Sequence, residues 1–316
     1  MWEILCLGLR LFSRSIFLKR RALLLVNRRS RRGRRLLRPA IAQLEAAGLE
    51  LVQPLLSRHS DYSDVIVAHR DRVDLVIVGG GDGSLNAAAR GLVETQLPLG
   101  VLPLGTANDL ARTLALPTDL NQACQVIAQG QTQAIDLGWV NGYYFFNVAS
   151  LGLSVKITQG LTSGVKRRWG VFAYALVALR SLWRFRPFRA EIRVGDRVRQ
   201  TKTVQIAVGN GRYYGGGLAI AHDAAIDDQR LDLYSLSIDH WWQIIPLLPA
   251  LYHGRYPTPL TEQCGPGETI EIRTRRHRHI NTDGEIHTTT PARFRVIPQA
   301  LRIFVPAAVT GSPPAP

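Results

Sequence analysis

Two glycine-rich segments in the first third of the chain have the composition of loops that bind phosphate. The first reads VGGGDGSLN over Val78–Asn86, and the second reads LPLGTANDLAR over Leu102–Arg112. Each includes or follows an apolar run that predicts a buried strand, and each leads into a predicted helix. Glycine lets the backbone approach a ligand closely, and the N–H groups at a helix start attract anions. Each segment taken alone has a simpler alternative, which is a tight turn for the first and a helix N-cap at Thr106 or Asn108 for the second.

These segments match neither of the common nucleotide-binding fingerprints. A Gly-Lys-Ser/Thr sequence occurs nowhere in the chain, which excludes a Walker loop. Ser84 stands where a dinucleotide fingerprint has its third glycine. The carboxyl ends of parallel strands meet at one edge of an α/β sheet, where such folds bind ligands. We therefore expect the two loops to lie side by side.

The elements around these loops predict an α/β domain with a parallel sheet. Predicted strands are Arg21–Asn27, Leu49–Leu56, Asp74–Val78 and Leu99–Pro103. Predicted helices are Pro39–Gly48, Ser63–Arg70, Ser84–Glu94 and Ala107–Ala115. Strands that alternate with helices at this spacing are typical of βαβ units.

From Ile135 onward the pattern changes to short β-rich runs, which predict a second, antiparallel domain. These runs are Gly142–Val148, Arg189–Val194, Lys202–Val208, Leu231–Ser237, Glu268–Arg273 and Arg293–Ile297, with a helix predicted at Trp169–Phe185. The predicted fold class is α/β, with a parallel-sheet domain at 21–134 followed by a β-rich domain at 135–305. The last strand or strands of the second domain are expected to return to the first. Residues 306–316 are expected to be a disordered tail.

Composition limits the compartment and the partners. Lys plus Arg number 39 and Asp plus Glu number 24, so the formal net charge is +15 and anionic partners are expected. The 46% of hydrophobic residues excludes a wholly disordered chain. Three cysteines far apart argue against a disulfide framework and a cysteine zinc site, and favour a reducing, cytoplasmic location. Because no stretch reaches the ~18 apolar residues of a membrane span, we expect no transmembrane helix.

The N-terminus and two arginine clusters suggest contact with a membrane surface. Met1–Leu18 is apolar-rich with three charged residues inside it and basic residues after it, an order opposite to that of a signal peptide. It predicts an amphipathic interfacial extension over residues 1–20, with a packing helix or a loose terminus as the alternative. Arg28–Arg38 contains seven arginines and Arg273–His279 contains four. These clusters suit anionic headgroups, which would place the protein on the inner face of the membrane.

Taken together, GGGDGSLN and LPLGTANDLAR resemble the catalytic domain of the diacylglycerol kinase family, in its soluble bacterial lipid-kinase branch. VGNGRYYGGG at Val208–Gly217 is similar to the glycine-rich signature of that family's second domain. NTDGE at Asn281–Glu285 resembles its C-terminal acidic motif. The resemblance implies a fold like that of NAD kinases and diacylglycerol kinases, with nucleotide on the first domain. It also implies transfer of the ATP γ-phosphoryl group to a lipid hydroxyl in the cleft between the domains.

The resemblance implies a set of site residues for ATP and Mg²⁺. The nucleotide-binding positions it implies are Asn27, Ser57, Gly81, Asp82, Gly83, Ser84, Leu85, Asn86, Ala87, Thr106, Asp109 and Asp136. The three aspartates match carboxylates at the nucleotide–magnesium site, and carboxylate oxygens suit Mg²⁺. Glu285 matches the general base, and Asp82 is expected to be catalytic with it. By residue type alone, Asp109 also fits a helix first turn, and Glu285 also fits a surface position after an Asp-Gly turn.

A second, structural magnesium ion is also implied, beside the second domain. Its matching ligands are the carboxylate of Asp228 and the backbone carbonyls of Ala225 and Arg230. The family usually has Asp-Gly at this turn, and this chain has Asp228-Gln229, so a solvated acidic turn is the alternative. At the first site, Ala87 stands where the family typically has glutamate, so one carboxylate is missing.

The expected partners are ATP and a diacylglycerol-like lipid acceptor at an anionic membrane surface, with a homodimer left open. Nucleic acid is not expected, because the arginine clusters lack aromatic-interleaved or zinc-finger signatures. Three alternatives stay open at this point: an NAD kinase-like enzyme, a catalytically inactive lipid-binding protein, and a basic nucleic-acid-binding protein. GTANDLAR and GNGRYYGGG favour the lipid-kinase branch over NAD kinase.

Overall fold

The computed structural model describes residues 20–28, 30–56, 60–160, 186–215, 218–219, 224–237, 243 and 261–307. The predicted amphipathic extension at Met1–Leu18, the predicted helix at Trp169–Phe185 and most of the predicted tail lie outside these residues.

The first part of the chain alternates strands and helices. In chain order these are β1 (Arg21–Val26), α1 (Arg31–Ala46), β2 (Glu50–Val52), α2 (Tyr62–Ala68), β3 (Leu75–Gly80), α3 (Asp82–Thr95), β4 (Leu99–Pro103), α4 (Asp109–Thr113) and α5 (Leu120–Gln129). The four strands pair in parallel in the order β2-β1-β3-β4. Strands β3 and β4 are buried along their whole length, as near-continuous apolar runs in a parallel sheet predict.

The second part is mostly strands. They are β5 (Thr132–Val140), β6 (Tyr143–Phe145), β7 (Val148–Gly152), β8 (Phe188–Val194), β9 (Arg197–Thr203), β10 (Gln205–Gly209), β11 (Tyr213–Tyr214), β12 (Leu218–Ala219), β13 (Leu231–Leu236), β14 (Thr261–Cys264), β15 (Ile270–Thr274), β16 (His279–Thr282), β17 (Glu285–Thr289) and β18 (Ala292–Phe304), with helix α6 at Leu153–Gly160. An antiparallel sheet runs in the order β14-β13-β10-β7-β16-β17. The predicted α/β fold class, with an antiparallel β-rich part after a parallel sheet, is confirmed.

Strand β18 joins the two parts of the chain. It pairs in parallel with β4 through Ile303 and Leu99, and antiparallel with β5 and β15. The parallel sheet therefore continues through β18, β15, β8 and β9 as one larger sheet. Apolar residues of β18 enter both hydrophobic cores: Leu301 packs with the α/β part and Phe294 with the strands of the second part. The boundary predicted between residues 134 and 135 falls inside β5 and stays a prediction.

Three predicted elements need correction. Helix α1 begins at Arg31, not at Pro39, because Ser30 caps it by accepting a hydrogen bond from the Gly33 N–H at 2.8 Å. Arginine is a good helix former, so the charged run is the exposed face of a helix whose Ala40 is buried. The predicted strands at Gly142–Val148 and Lys202–Val208 are also wrong, because each spans two strands that lie in different sheets. These are β6 and β7 in the first case, and β9 and β10 in the second.

None of the helices within the described residues is long and apolar enough to cross a lipid bilayer.

Candidate active site

The two glycine loops lie against each other at the carboxyl edge of the parallel sheet. A Cβ atom placed on Gly105 would lie 2.5 Å from the Cα of Gly81, so only glycine permits this approach. The Leu104 N–H donates a hydrogen bond to the Gly80 carbonyl at 2.9 Å. The expectation that the loops are neighbours is therefore confirmed, and the backbone forms the floor of the site.

Asn108 gives the second loop its shape. It adopts a left-handed conformation with φ of 51°, which asparagine tolerates better than most residues. Its Oδ1 accepts a hydrogen bond from the Gly105 N–H at 2.9 Å, and its Nδ2 donates to the Gly105 carbonyl at 3.2 Å. The side chain is buried and holds the turn from inside, while Thr106 is exposed at the loop surface.

Asp82 connects the starts of two helices. As the first residue of α3, it accepts a hydrogen bond through Oδ1 from the Leu110 N–H of α4 at 3.2 Å. Burial raises the pKa of Asp82, and backbone N–H groups of both helices oppose that rise. Asp109, the first residue of α4, is itself buried. Two carboxylates thus lie at adjacent helix N-termini, where the helix dipoles favour negative charge.

A cleft of about 580 Å³ opens above these loops. Its described lining consists of Val26, Asn27, Arg28, Ser30, Leu56, Ser60, Tyr62, Gly80, Gly81, Gly83, Ser84, Ala87, Leu104, Gly105 and Glu285. All of these except Glu285 come from the first part of the chain. Glu285, from β17, lies over the start of α3, where a Cβ on Gly83 would be 3.1 Å from its Oε1. A carboxylate of the antiparallel sheet therefore faces the glycine-rich loop.

Positively charged side chains also lie at the cleft, beside the start of α1. Arg28 and Ser30 line it just before α1, a helix with no acidic residue in its first turn. The Arg32 Nη1 donates a hydrogen bond to the Gly105 carbonyl at 3.2 Å, which brings a guanidinium to the second loop. Arginines beside a helix N-terminus favour bound anions, and phosphate groups are the anions that glycine loops suit.

The structure brings together only part of the predicted nucleotide-binding set. The members that line the cleft are Asn27, Gly81, Gly83, Ser84 and Ala87, together with the predicted base Glu285. Asp82 and Asp109 lie at the loop junction beside them. Other members face elsewhere: Leu85 packs in the hydrophobic core and Asn86 bonds the Tyr144 carbonyl at 2.9 Å. Ser57 lies outside the described residues.

Asp136 is not among the residues that line the cleft. Its side chain is buried, at 1% exposure, and accepts hydrogen bonds from the N–H groups of Gln229 at 2.6 Å and Gln299 at 2.7 Å. Burial raises its pKa, and the two N–H groups oppose that rise. Its carboxylate ties β5 to the acidic turn and to β18. A direct role at the nucleotide, implied by the resemblance, stays a prediction that this arrangement does not support.

Sequence analysis missed two residues that build the site. The sequence indicates Asn108 only as a candidate helix cap. In the structure its side chain also holds the second glycine loop in shape. Ser30 lies within the arginine run, and serine is a preferred N-cap residue. In the structure it caps α1 by accepting a hydrogen bond from the Gly33 N–H. A capping residue inside the arginine run is the signal that indicates where α1 begins. The residues just before that start, Arg28 and Ser30, line the cleft.

The acidic turn at 224–230 does not fit a magnesium ion in the arrangement described. The Asp228 carboxylate accepts hydrogen bonds from the N–H groups of Ala225 at 3.1 Å and Arg230 at 3.2 Å. It also pairs with the Arg230 Nε at 2.9 Å. Three of the roughly four lone-pair positions of the carboxylate are occupied, and its charge is balanced by a guanidinium. Gln229 takes a left-handed conformation with φ of 60°, where the family has glycine.

This arrangement predicts that Mg²⁺ does not stabilise the ligand-free protein through Asp228. An ion at 100 times its Kd would add about 2.7 kcal/mol to the free energy of unfolding. We expect instead equal melting temperatures in Mg²⁺ and in EDTA, measured by calorimetry without nucleotide. The control is Asp228→Asn. Stabilisation by Mg²⁺ that this variant abolishes would establish the metal site implied by the resemblance.

Comparisons with known proteins agree with this architecture. A model of the diacylglycerol kinase catalytic domain matches residues 21–140, and a model of the YegS C-terminal NAD kinase beta sandwich-like domain matches residues 147–305. A crystal structure of a diacylglycerol kinase from Bacillus anthracis str. Sterne has the same fold, with a TM-score of 0.76. The sequences are 23% identical, and the match covers 92% of this chain and 99% of that one.

Proteins similar in sequence to this chain are named as lipid kinases. A probable lipid kinase YegS-like protein of Pectobacterium atrosepticum is 33% identical over 277 residues, covering 85% of this chain and 91% of that protein. A diacylglycerol kinase of Staphylococcus epidermidis is 29% identical over 279 residues, covering 86% and 87%. The fold, the family models and these relatives define the protein as a kinase. The chain belongs to the diacylglycerol kinase catalytic-domain family, among bacterial lipid kinases, as its motifs predicted.

Proposed function

We propose that the chain transfers the γ-phosphoryl group of ATP to a hydroxyl group of a membrane lipid. The observation that carries this proposal is the position of Glu285, whose Oε1 faces Gly83 in the first glycine loop. A loop that binds phosphates and a carboxylate that accepts a proton are the two parts that phosphoryl transfer to an alcohol needs. Here they come from different sheets and meet in one cleft.

The residues of the cleft have two proposed roles, which are binding of the nucleotide phosphates and acceptance of the hydroxyl proton. Backbone N–H groups of the two glycine loops, with Arg28 and the start of α1, bind the nucleotide phosphates. Glu285 accepts the proton of the acceptor hydroxyl as its oxygen attacks phosphorus. Mg²⁺ supplies charge neutralisation on the phosphates when bound, and Asp82 and Asp109 are the hard oxygen donors that would hold it.

The acceptor is proposed to be a diacylglycerol-like lipid. Relatives from Staphylococcus epidermidis and Staphylococcus carnosus are named diacylglycerol kinases, and Glu285, which lines the cleft, is exposed to solvent. A monoacylglycerol, a sphingoid base and phosphatidylglycerol present the same chemistry, a hydroxyl beside apolar chains. The hydroxyl is the group that Glu285 would recognise, so the acceptor must be identified by experiment.

The test is transfer of labelled phosphate from ATP into a total lipid extract, followed by identification of the labelled product. We expect one labelled phospholipid with the native protein and almost none with Glu285→Gln. Labelling of NAD in a parallel reaction would instead support an NAD kinase-like enzyme. Lipid binding without turnover would support a catalytically inactive lipid-binding protein. The observation that favours this alternative is Ala87, which lines the cleft and provides no carboxylate.

The exposed arginines of α1 predict electrostatic binding to anionic membranes. Arg34 and Arg35 are exposed, and each contributes about 1 kcal/mol near an anionic surface. Replacing both with glutamine should weaken binding to anionic vesicles about 30-fold, and salt should weaken binding of the native protein. Replacing Arg70 and Arg72, exposed beyond the other edge of the parallel sheet, removes the same charge and should have a smaller effect.

The measurement is co-sedimentation with vesicles of increasing anionic content at two salt concentrations. Deleting Met1–Leu18, which lies outside the described residues, tests the amphipathic extension in the same assay. Equal binding to neutral and anionic vesicles would contradict the electrostatic part of the proposal.

A further inference from the structure

The carboxylate of Asp283 makes more hydrogen bonds than a turn residue needs. Asp283 lies between β16 and β17, in the acidic motif that ends at Glu285. Its Oδ2 accepts from the Phe146 N–H at 2.7 Å, and its Oδ1 accepts from the N–H groups of Asn147 at 3.0 Å and Val148 at 3.1 Å. Three consecutive N–H groups at the corner between β6 and β7 therefore converge on one side chain.

A fourth hydrogen bond to the Asp283 carboxylate comes from the first glycine-rich segment, Val78–Asn86. The Asn86 Nδ2, from the second turn of α3, donates to the Asp283 Oδ2 at 3.2 Å. The same Nδ2 donates to the Tyr144 carbonyl at 2.9 Å. Helix α3 begins in the loop that faces Glu285. The Asp283 carboxylate thus connects the turn that carries Glu285 to the helix that carries Gly83.

The backbone around Asp283 is also held on both sides. The Asp283 N–H donates to the Val148 carbonyl at 3.0 Å, and the Gly284 N–H donates to the Asn281 Oδ1 at 2.7 Å. Burial raises the pKa of Asp283 to about 6, with Asp82 adding to the rise and the three N–H groups opposing it. At neutral pH the carboxylate is therefore mostly ionised, the state that can accept all four hydrogen bonds.

We propose that Asp283 is a positioning residue that fixes Glu285 against the glycine loop of α3 by joining its turn to Asn86 and to the β6–β7 corner. The proposal rests on the proposed function, because it assigns Asp283 an effect through Glu285 as the base. Glu285 is exposed, so few contacts of its own hold it in place. A displacement of about 1 Å at a reacting group can cost about 10²-fold in rate.

Asp283→Asn separates this proposal from a turn role. Asp283 has a φ of 49°, and asparagine adopts this left-handed conformation as readily as aspartate does. A residue that only makes the turn can therefore be replaced by asparagine without loss. The amide, however, places an NH₂ group where one carboxylate oxygen accepted hydrogen bonds. Either orientation of the amide loses two of the four acceptor contacts: those from Phe146 and Asn86 at the Oδ2 position, or those from Asn147 and Val148 at the Oδ1 position.

The experiment compares lipid phosphorylation by four proteins: native, Asp283→Asn, Glu285→Gln and the double variant. Asp283→Asn should lower kcat about 10²-fold in the native background, with KM for ATP nearly unchanged. In the Glu285→Gln background it should have almost no further effect, because the group it positions is already absent. An equal loss in both backgrounds, or normal turnover by Asp283→Asn alone, would overturn the proposal.

A matched control and a second measurement keep the outcome clear. Asp119→Asn changes another carboxylate that accepts a backbone hydrogen bond, from the Gln122 N–H at 3.1 Å at the start of α5. It should keep normal kcat, and all assays are run where every variant is folded.

Amide hydrogen exchange tests the hydrogen bonds of Asp283 independently of activity. If the native protein phosphorylates no lipid, that result contradicts the proposed function alone, and the exchange measurement still tests the role of Asp283. Exchange at 146–148 should be faster in Asp283→Asn, and unchanged exchange would overturn the proposed connection.

Discussion

The Glu285→Gln variant is expected to lose about 10²- to 10⁴-fold in kcat for lipid phosphorylation while its affinity for ATP stays nearly unchanged. Glutamine keeps the size and most hydrogen-bonding capacity of glutamate, but it cannot accept the hydroxyl proton. Glu285 extends from β17 over the start of α3, and its side chain adds no positive charge for phosphate binding. The measurement is steady-state lipid phosphorylation, with nucleotide binding followed separately by titration.

Asp82→Asn is the informative comparison for that variant. Asp82 lies at the junction of the two loops and is proposed to hold Mg²⁺, so its loss should weaken binding of the metal–nucleotide complex. Raised Mg²⁺ should restore part of its activity, and the same magnesium titration should leave Glu285→Gln unchanged. Near-normal turnover by Glu285→Gln would remove it from the base role and leave a surface glutamate after a tight turn.

The Gly105→Val variant is expected to weaken nucleotide binding about 100-fold. Any Cβ at this position would lie 2.5 Å from the Cα of Gly81 and 2.5 Å from the Asn108 Oδ1. Both neighbours are held in place, so the added side chain must push the two loops apart. Overpacking of this kind costs about 1–3 kcal/mol, and here the displaced groups are those proposed to bind phosphate. The measurement is nucleotide titration by calorimetry.

Gly265→Val is the matched control, because among the described residues a Cβ at Gly265 would have one neighbour within 4 Å, the Glu268 Oε2 at 4.0 Å. We expect this variant to bind nucleotide as the native protein does. A variant at Gly83 should behave differently again, since its Cβ would meet the carboxylate end of the Glu285 side chain and should lower kcat rather than nucleotide affinity. Unchanged nucleotide affinity in Gly105→Val would contradict the placement of phosphates between the loops.

Local features of the sequence determined the strands of the parallel sheet, the glycine loops and the family. The predicted bounds of β4 agree with the structure, because a continuous apolar run between turn residues is typical of a strand buried on both faces. The adjacent loops followed from a general property of parallel sheets, whose carboxyl ends share an edge. The order of four motifs was sufficient to place the chain among lipid kinases. Each of these inferences depends on residues within a single loop or element, or on their order along the chain.

Tertiary structure alone decided how distant segments meet. Asp283 finds its partners 135 to 197 positions away, and no local pattern distinguishes a carboxylate that joins three elements from one in an exposed turn. Asp136 lies with the acidic turn rather than in the cleft, because β5 pairs with β18 and brings Gln299 to it. Sheet register and side-chain packing set these contacts, and both are properties of the whole fold rather than of neighbouring residues.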